Sequence, residues 1–144
     1  RGGLVIPNPS AERGRQEGVS AAAFERALRD LALRVPTLNW AIIASVDGVV
    51  QATYDPFSKE RADRILALVS SVLALGERVF QKLQHGRLNC LTLAGKTGVI
   101  TACPVGPAYV MAVSAPLEAQ AAVVYALEQV ADALRPALSP PGVG

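Results

Sequence analysis

Hydrophobic positions along this chain repeat with two periods, and the switches between them divide it into elements. From Ser20, which offers a helix cap, Phe24, Leu28, Leu31 and Val35 recur every three to four residues. Glu25, Arg26, Arg29 and Asp30 take the other side, and Pro36 ends the helix. Residues 1–19 mix Gly, Pro, Asn, Arg and Glu without a sustained period and read as a tail, with Leu4-Val5-Ile6 its one apolar patch. The β-rich runs 38–45 and 49–54 flank Val46-Asp47-Gly48, a hairpin signal. Asp55-Pro56-Phe57-Ser58 then breaks the pattern, and Ser58 can cap a long helix predicted to run to about Gln84.

Three short β runs follow His85-Gly86: Arg87 to Leu93, Gly98 to Cys103 and Ala108 to Ser114. Turn residues at 94–97 and 104–107 separate them, so the runs must form an antiparallel meander. A last helix is predicted from Leu117 to about Leu134, with Val123, Val124, Leu127, Val130 and Leu134 at helical spacing and Pro136 as its stop. The order helix, hairpin, helix, meander, helix places the chain in the α+β class. It forms a single domain over 20–138, with tails at 1–19 and 139–144.

The long middle helix is the most informative element. From Ile65 to Gly76, ILALVSSVLALG, twelve positions pass without a charge. At 100° per residue, Ile65, Leu66, Val69, Val72, Leu73, Gly76 and Phe80 form a centred stripe expected to face the sheet. Leu68, Leu75 and Val79 widen it to about half the circumference. On the far side lie Ala67, Ser71 and Ala74, where a solvated helix would show Lys and Glu. A helix covered on two sides is the expectation.

Composition agrees. The 144 residues are 51% hydrophobic and only 18% charged, against the ~25% usual for soluble domains. Too little charge to coat a monomer implies apolar surface covered by another chain. A net charge of +2 with 5% aromatic residues argues against a nucleic-acid partner. Two cysteines and one histidine suit neither a disulfide framework nor a tetrahedral zinc site. No apolar run approaches the ~18 residues of a membrane span. A cytoplasmic, reducing environment is expected, with Cys90 and Cys103 as reduced thiols. They face each other if Ala94 and Val99 close the hairpin, and lie on opposite faces if the register slips by one.

Candidate chemistry is sparse. Gly95-Lys96-Thr97 matches the end of a phosphate loop, but Cys90 stands where its first glycine belongs. The β-branched run after Thr97 replaces the helix that would supply the phosphate field. A hairpin turn is the better reading. His85 follows a helix at a glycine turn, and the cysteines read as small apolar strand residues rather than nucleophiles. Asp47, Asp55, Glu60 and Asp63 are scattered over turns and a helix start. No catalytic or metal-binding residue and no cofactor is expected.

The run LALRVPTLNWAIIASVDGVVQAT resembles the opening of Roadblock/dynein-light-chain domains, and CPVGPAYVMAVSAP resembles their fourth-to-fifth strand segment. The resemblance implies a Roadblock/profilin-like fold: a five-stranded antiparallel sheet flanked by helices on both faces, the long helix alone on one. It also implies a homodimer in which long helices pack together and third strands pair, and a Ras-like small GTPase as partner. With that geometry, the resemblance implies Ala67, Leu68, Ser71, Ala74, Leu75, Leu88, Cys90 and Leu91 at the dimer interface, the first five on the uncharged stretch of the long helix. Lys59, Arg61, Arg64, Arg78 and Lys82 are expected to meet the GTPase. A small-ligand sensory domain or a general tether is the competing reading, and a sensor would need a polar-lined cavity between sheet and helix.

Overall fold

A computed structural model of the chain describes residues 9–54 and 59–138. Its elements are α1 (Pro9–Arg34), β1 (Trp40–Ser45), β2 (Val50–Tyr54), α2 (Lys59–Lys82), β3 (Leu91–Ala94), β4 (Gly98–Val105), β5 (Tyr109–Pro116) and, after one 3₁₀ turn, α3 (Gln120–Leu138). The strands form one antiparallel sheet in the order β2-β1-β5-β4-β3. The element order agrees with the sequence reading.

The central strands are buried on both faces, so they read as nearly continuous apolar runs rather than alternating ones. Ala41 and Ile43 of β1, Met111 and Val113 of β5, and Val99 and Val105 of β4 pack with Phe24 and Leu31 of α1 and Leu127 of α3. On the other face Ile42, Ala44, Ala102, Val110 and Ala112 are buried. Leu66, Val69 and Leu73 of α2 pack against that surface. Two helices thus cover one face of the sheet and one helix the other.

The β1–β2 turn forms as the Asp-Gly pair predicts. Gly48 takes φ 97°, open to glycine, and Gly48 N–H donates to Ser45 O at 3.0 Å. Helix α2 closes with a Schellman motif: His85 N–H donates to Phe80 O at 3.0 Å and Gln84 N–H to Gln81 O at 3.2 Å. The left-handed residue there is Gln84, at φ 57°, where glycine is the usual occupant. His85 lies edge-on to Phe80 with ring centroids 5.8 Å apart, the contact that accompanies such a cap.

Three boundaries differ from expectation, and a fourth lies outside the described residues. Helix α1 begins at Pro9, not Ser20, so much of the expected tail is helical. A proline in the first turn costs no hydrogen bond, and Ala, Glu, Arg and Gln sustain a helix without an apolar stripe. Helix α3 passes through Pro136 to Leu138, so the expected stop lies inside its last turn, although proline gives up the bond to the fourth residue back and crowds that carbonyl. The Ser58 cap lies outside the described residues. Strand β3 starts at Leu91 rather than Arg87. Gly95 N–H donates to Gly98 O, so 95/98 is a hydrogen-bonded pair, and in the register Leu91↔Ala102 the next such pair inward is Asn89/Pro104. Proline has no N–H to give, so the ladder ends there. Pro104 costs nothing on its other edge, where Thr97 O accepts from Leu117 N–H and puts odd-numbered β4 residues in charge of bonding β5.

Replacing Gln84 with glycine should stabilise the protein by roughly 0.5–1 kcal/mol, the left-handed penalty relieved less glycine's entropy. Leu127→Ala, in the two-helix core, should cost about 2–5 kcal/mol. Urea denaturation of both variants against the parent measures the two effects.

Candidate interaction surface

Among the described residues, exposed large apolar side chains occur singly on α1 (Leu33) and α3 (Tyr125), among ion pairs, but as a run on α2. On α1, Arg29 pairs with Glu25 at 3.8 Å and Arg34 with Asp30 at 3.0 Å; on α3, Arg135 pairs with Asp132. These are solvated i,i+3 and i,i+4 pairs. The outer face of α2 carries Leu68, 70% exposed, and Leu75, 58% exposed, with Val79 and Leu83 further along. Ala67, Ser71 and Ala74 beside them are exposed too. The Ser71 hydroxyl donates to Ala67 O at 3.0 Å, so even this polar side chain is satisfied within its own helix.

The expected sheet-facing stripe is narrower than the sequence reading made it. Leu66, Val69 and Leu73 are buried and Ile65, Val72, Gly76 and Phe80 partly so, whereas Leu68, Leu75 and Val79 turn outward. Arg64, Leu68, Ser71, Leu75, Arg78 and Lys82 follow one another at spacings of four and three, the seam spacing of paired helices. The apolar centre of that seam is bracketed by cations, and Arg64, Arg78 and Lys82 are exposed. Arg61 is exposed in the first turns of α2, and the side chain of Lys59 lies outside the described set.

Leu88 is a correction. It is 5% exposed and packs under α2 with Val69 and Leu73, so its side chain belongs to the protomer's core and not to an outer face. Gly76 makes the seat: a Cβ there would come within 3.1 Å of Leu88 Cδ2. Glu77 fixes the approach, its Oε1 accepting the Leu88 N–H at 3.3 Å. Leu91 is half-buried against the same cluster, and Leu93 beyond it is 45% exposed on the edge strand. The apolar surface of α2 therefore continues past Gly76 to β3. Cys90 is half-buried, but its position two residues before Thr92 puts it on the sheet face opposite α2.

The alternatives gather little. Gly95, Lys96 and Thr97 lie in the exposed β3–β4 turn, and a strand rather than a helix follows. His85 caps α2, away from the cluster that holds Cys103. Among the described residues no group of three His, Cys, Asp or Glu side chains could hold a metal ion, and no helix is long and apolar enough to cross a membrane. A cleft of about 410 Å³ runs along the outside of α1 and α3, past Arg26, Asp30, Leu33 and Leu134, and not between sheet and helix.

One helix on one face, two on the other and a short edge strand beside the lone helix define an α+β domain of recognisable class. A family model for the Roadblock/LC7 domain matches residues 26–115, and the chain belongs to that family. No curated protein matches the sequence. Among solved structures, a Roadblock/LC7 domain from Streptomyces avermitilis is 24% identical at TM-score 0.68, covering 75% of this chain and 91% of its own. An MglB with a tetrameric arrangement is 18% identical at TM-score 0.68, with 81% and 90% covered. The gliding protein MglB from Thermus thermophilus is 18% identical at TM-score 0.67, with 81% and 91% covered.

Burial pushes the Cys103 thiol up from 9.0 to about 12, helped by Cys90 beside it and opposed by Arg135. Below pH 9 the thiol is protonated whether the chain is folded or not. Between pH 9 and about 12 only the unfolded chain releases the proton, so stability falls as pH rises through that window. Urea midpoints measured across it should fall less steeply in Cys103→Ala than in the parent.

Proposed function

We propose that this protein is a homodimeric, non-enzymatic regulator or scaffold that binds a Ras-like small GTPase in the cytoplasm. The observation that carries the reading is the outward seam of α2, apolar at Leu68 and Leu75 and basic at Arg64, Arg78 and Lys82. Two copies joined through that seam would remove Ala67, Leu68, Ser71, Ala74 and Leu75 from water. The edge of β3 with Leu91 and Leu93 would extend the contact, and Cys90 would contribute backbone only. A tetrameric arrangement in an MglB of the same fold supports self-association of such domains.

Membership in the family supports the choice of partner, because the resemblance implies GTPase binding without a shared catalytic residue. The nucleotide would sit in the partner, in keeping with a Gly-Lys-Thr that ends in a strand. Apolar positions used between copies leave the basic ends of the seam for an acidic patch on the GTPase. Charges at such a rim mainly set encounter rate and salt sensitivity.

Light scattering should give a dimer at micromolar concentration, and Leu68→Glu or Leu75→Glu should weaken it at least about tenfold by forcing a charge into a desolvated contact. Both side chains are exposed in the protomer, so a native circular dichroism spectrum should persist. A parent protein that stays at 15.0 kDa at high concentration refutes the dimer. Titration with a GTPase encoded beside this gene should show binding that weakens with salt and in Arg64→Glu and Arg78→Glu. Binding of GTP by this protein alone, lost in Lys96→Ala, would refute the partner reading.

A further inference from the structure

We propose that Cys90 and Cys103 are a reversible disulfide site that clips the start of the edge strand β3 to β4. The register runs Ala94↔Val99, Leu93↔Ile100, Thr92↔Thr101 and Leu91↔Ala102, so the next opposed residues are Cys90 and Cys103. Gly95 N–H donating to Gly98 O fixes the phase of the ladder. Pairs 95/98, 93/100 and 91/102 exchange hydrogen bonds, and 94/99, 92/101 and 90/103 do not. Opposed residues of the second kind have Cα atoms about 4.5 Å apart, within the ~4.4–6.8 Å that a disulfide spans.

A neighbouring pair of the same kind, on the same face, makes the contact this geometry implies. Thr92 Oγ1 and Thr101 Oγ1 lie 3.1 Å apart across the hairpin. The end of the ladder also favours the bond. Pro104 supplies no N–H to residue 89, so the ladder to β4 does not extend past Leu91, and the backbone at Cys90 is not clamped to β4 by a further pair and can close on Cys103. Cys103 itself is anchored in β4 opposite Met111 of β5. The site rests on this register alone and is independent of the dimer and of any GTPase.

Oxidised glutathione is a sufficient oxidant. Half-buried Cys90 loses its proton and attacks one glutathione sulfur, releasing the first glutathione thiolate. Cys103 then loses its proton and attacks Cys90 Sγ, releasing the second. Two thiols become one disulfide, and one oxidised glutathione becomes two reduced ones. Burial raises both thiols, and Glu128, Asp132 and Arg135 of α3 are the charged groups that bear on them. Exchange at neutral pH is therefore slow, and the bond once formed is protected in the same way.

The reduced, folded protein is incubated with oxidised glutathione and followed by thiol titration, intact mass and peptide mapping. The expected product has no free thiol, no glutathione adduct and a mass lower by about 2 Da, the two hydrogens lost to the oxidant, with peptides 90 and 103 joined. Cys103→Ser should stop at one glutathione adduct on Cys90. Amide exchange over Leu91–Ala94 should slow in the oxidised parent and recover with reductant. A stable adduct on the parent, a disulfide between two chains, or thiols that react only once the chain is unfolded in urea would each overturn the proposal.

Discussion

One helix cannot cover the face of a five-stranded sheet, and most of what is distinctive here follows from that mismatch. Five strands at ~4.8 Å spacing present a face about 24 Å wide, whereas a helix with its side chains is about 10 Å across. On one face α1 and α3 lie side by side and share the width, which leaves their outer surfaces free for ion pairs. On the other, α2 lies alone, against β2, β1 and β4. Its buried arc, centred on Leu66, Val69 and Leu73, is all that meets the sheet, and leucines at 68 and 75 are left facing out. The exposed Leu93 on β3 belongs to the same shortfall, at the margin the helix does not reach.

A single proline sets the other boundary. Pro104 occupies a β4 position whose backbone points at β3, so it ends that ladder at Leu91 without touching the longer pairing with β5. The short edge strand that results offers few outward groups for indiscriminate pairing. Residues before it are free to pack by side chain instead. Leu88 does so in the notch that Gly76 opens on α2, and Glu77 satisfies its N–H. Edge length, the Gly76 notch and the closing turn of α2 are thus one local solution.

The architecture was legible because its cues are local. Helical spacing at Phe24–Val35 and Val123–Leu134, Asp47-Gly48 between β runs and two glycine-bearing separators each report on neighbours in sequence. What was misread depends on partners distant in sequence. The start of β3 is decided by Pro104 on another strand, and nothing in residues 87–93 announces it. Leu88 looks like an interface residue until Gly76 is placed beneath it. The early start of α1 fails for a different reason: a polar segment with good helix formers needs no apolar period, and a search for periodicity passes over it. The apolar arc on α2 was visible in the sequence, with Leu66, Val69 and Leu73 toward the sheet and Leu68 and Leu75 expected against another chain, whereas Val79, counted as widening the sheet-facing stripe, turns outward.

Charge placement along the α2 seam constrains how two copies could meet. Spacing from Arg64 to Ser71 equals that from Ser71 to Arg78, so a two-fold axis through Ser71 that runs the helices antiparallel sets Arg64 against Arg78 and Leu68 against Ala74, one residue from leucine 75. The same operation lays the Arg64 end of one helix beside the Arg78 and Lys82 end of the other. Apolar matching and electrostatic repulsion are then imposed by a single geometry, the first at the centre and the second at both ends. Repulsion between exposed cations in water is small, of the order of 1 kcal/mol at contact distance, so it would weaken a dimer without preventing one. It would also leave two equivalent basic clusters whose mutual repulsion is relieved when an acidic surface docks there. Under the proposed reading, binding of the partner and pairing of the copies therefore favour each other, because the same arginines are unfavourable in the dimer alone and favourable in the complex.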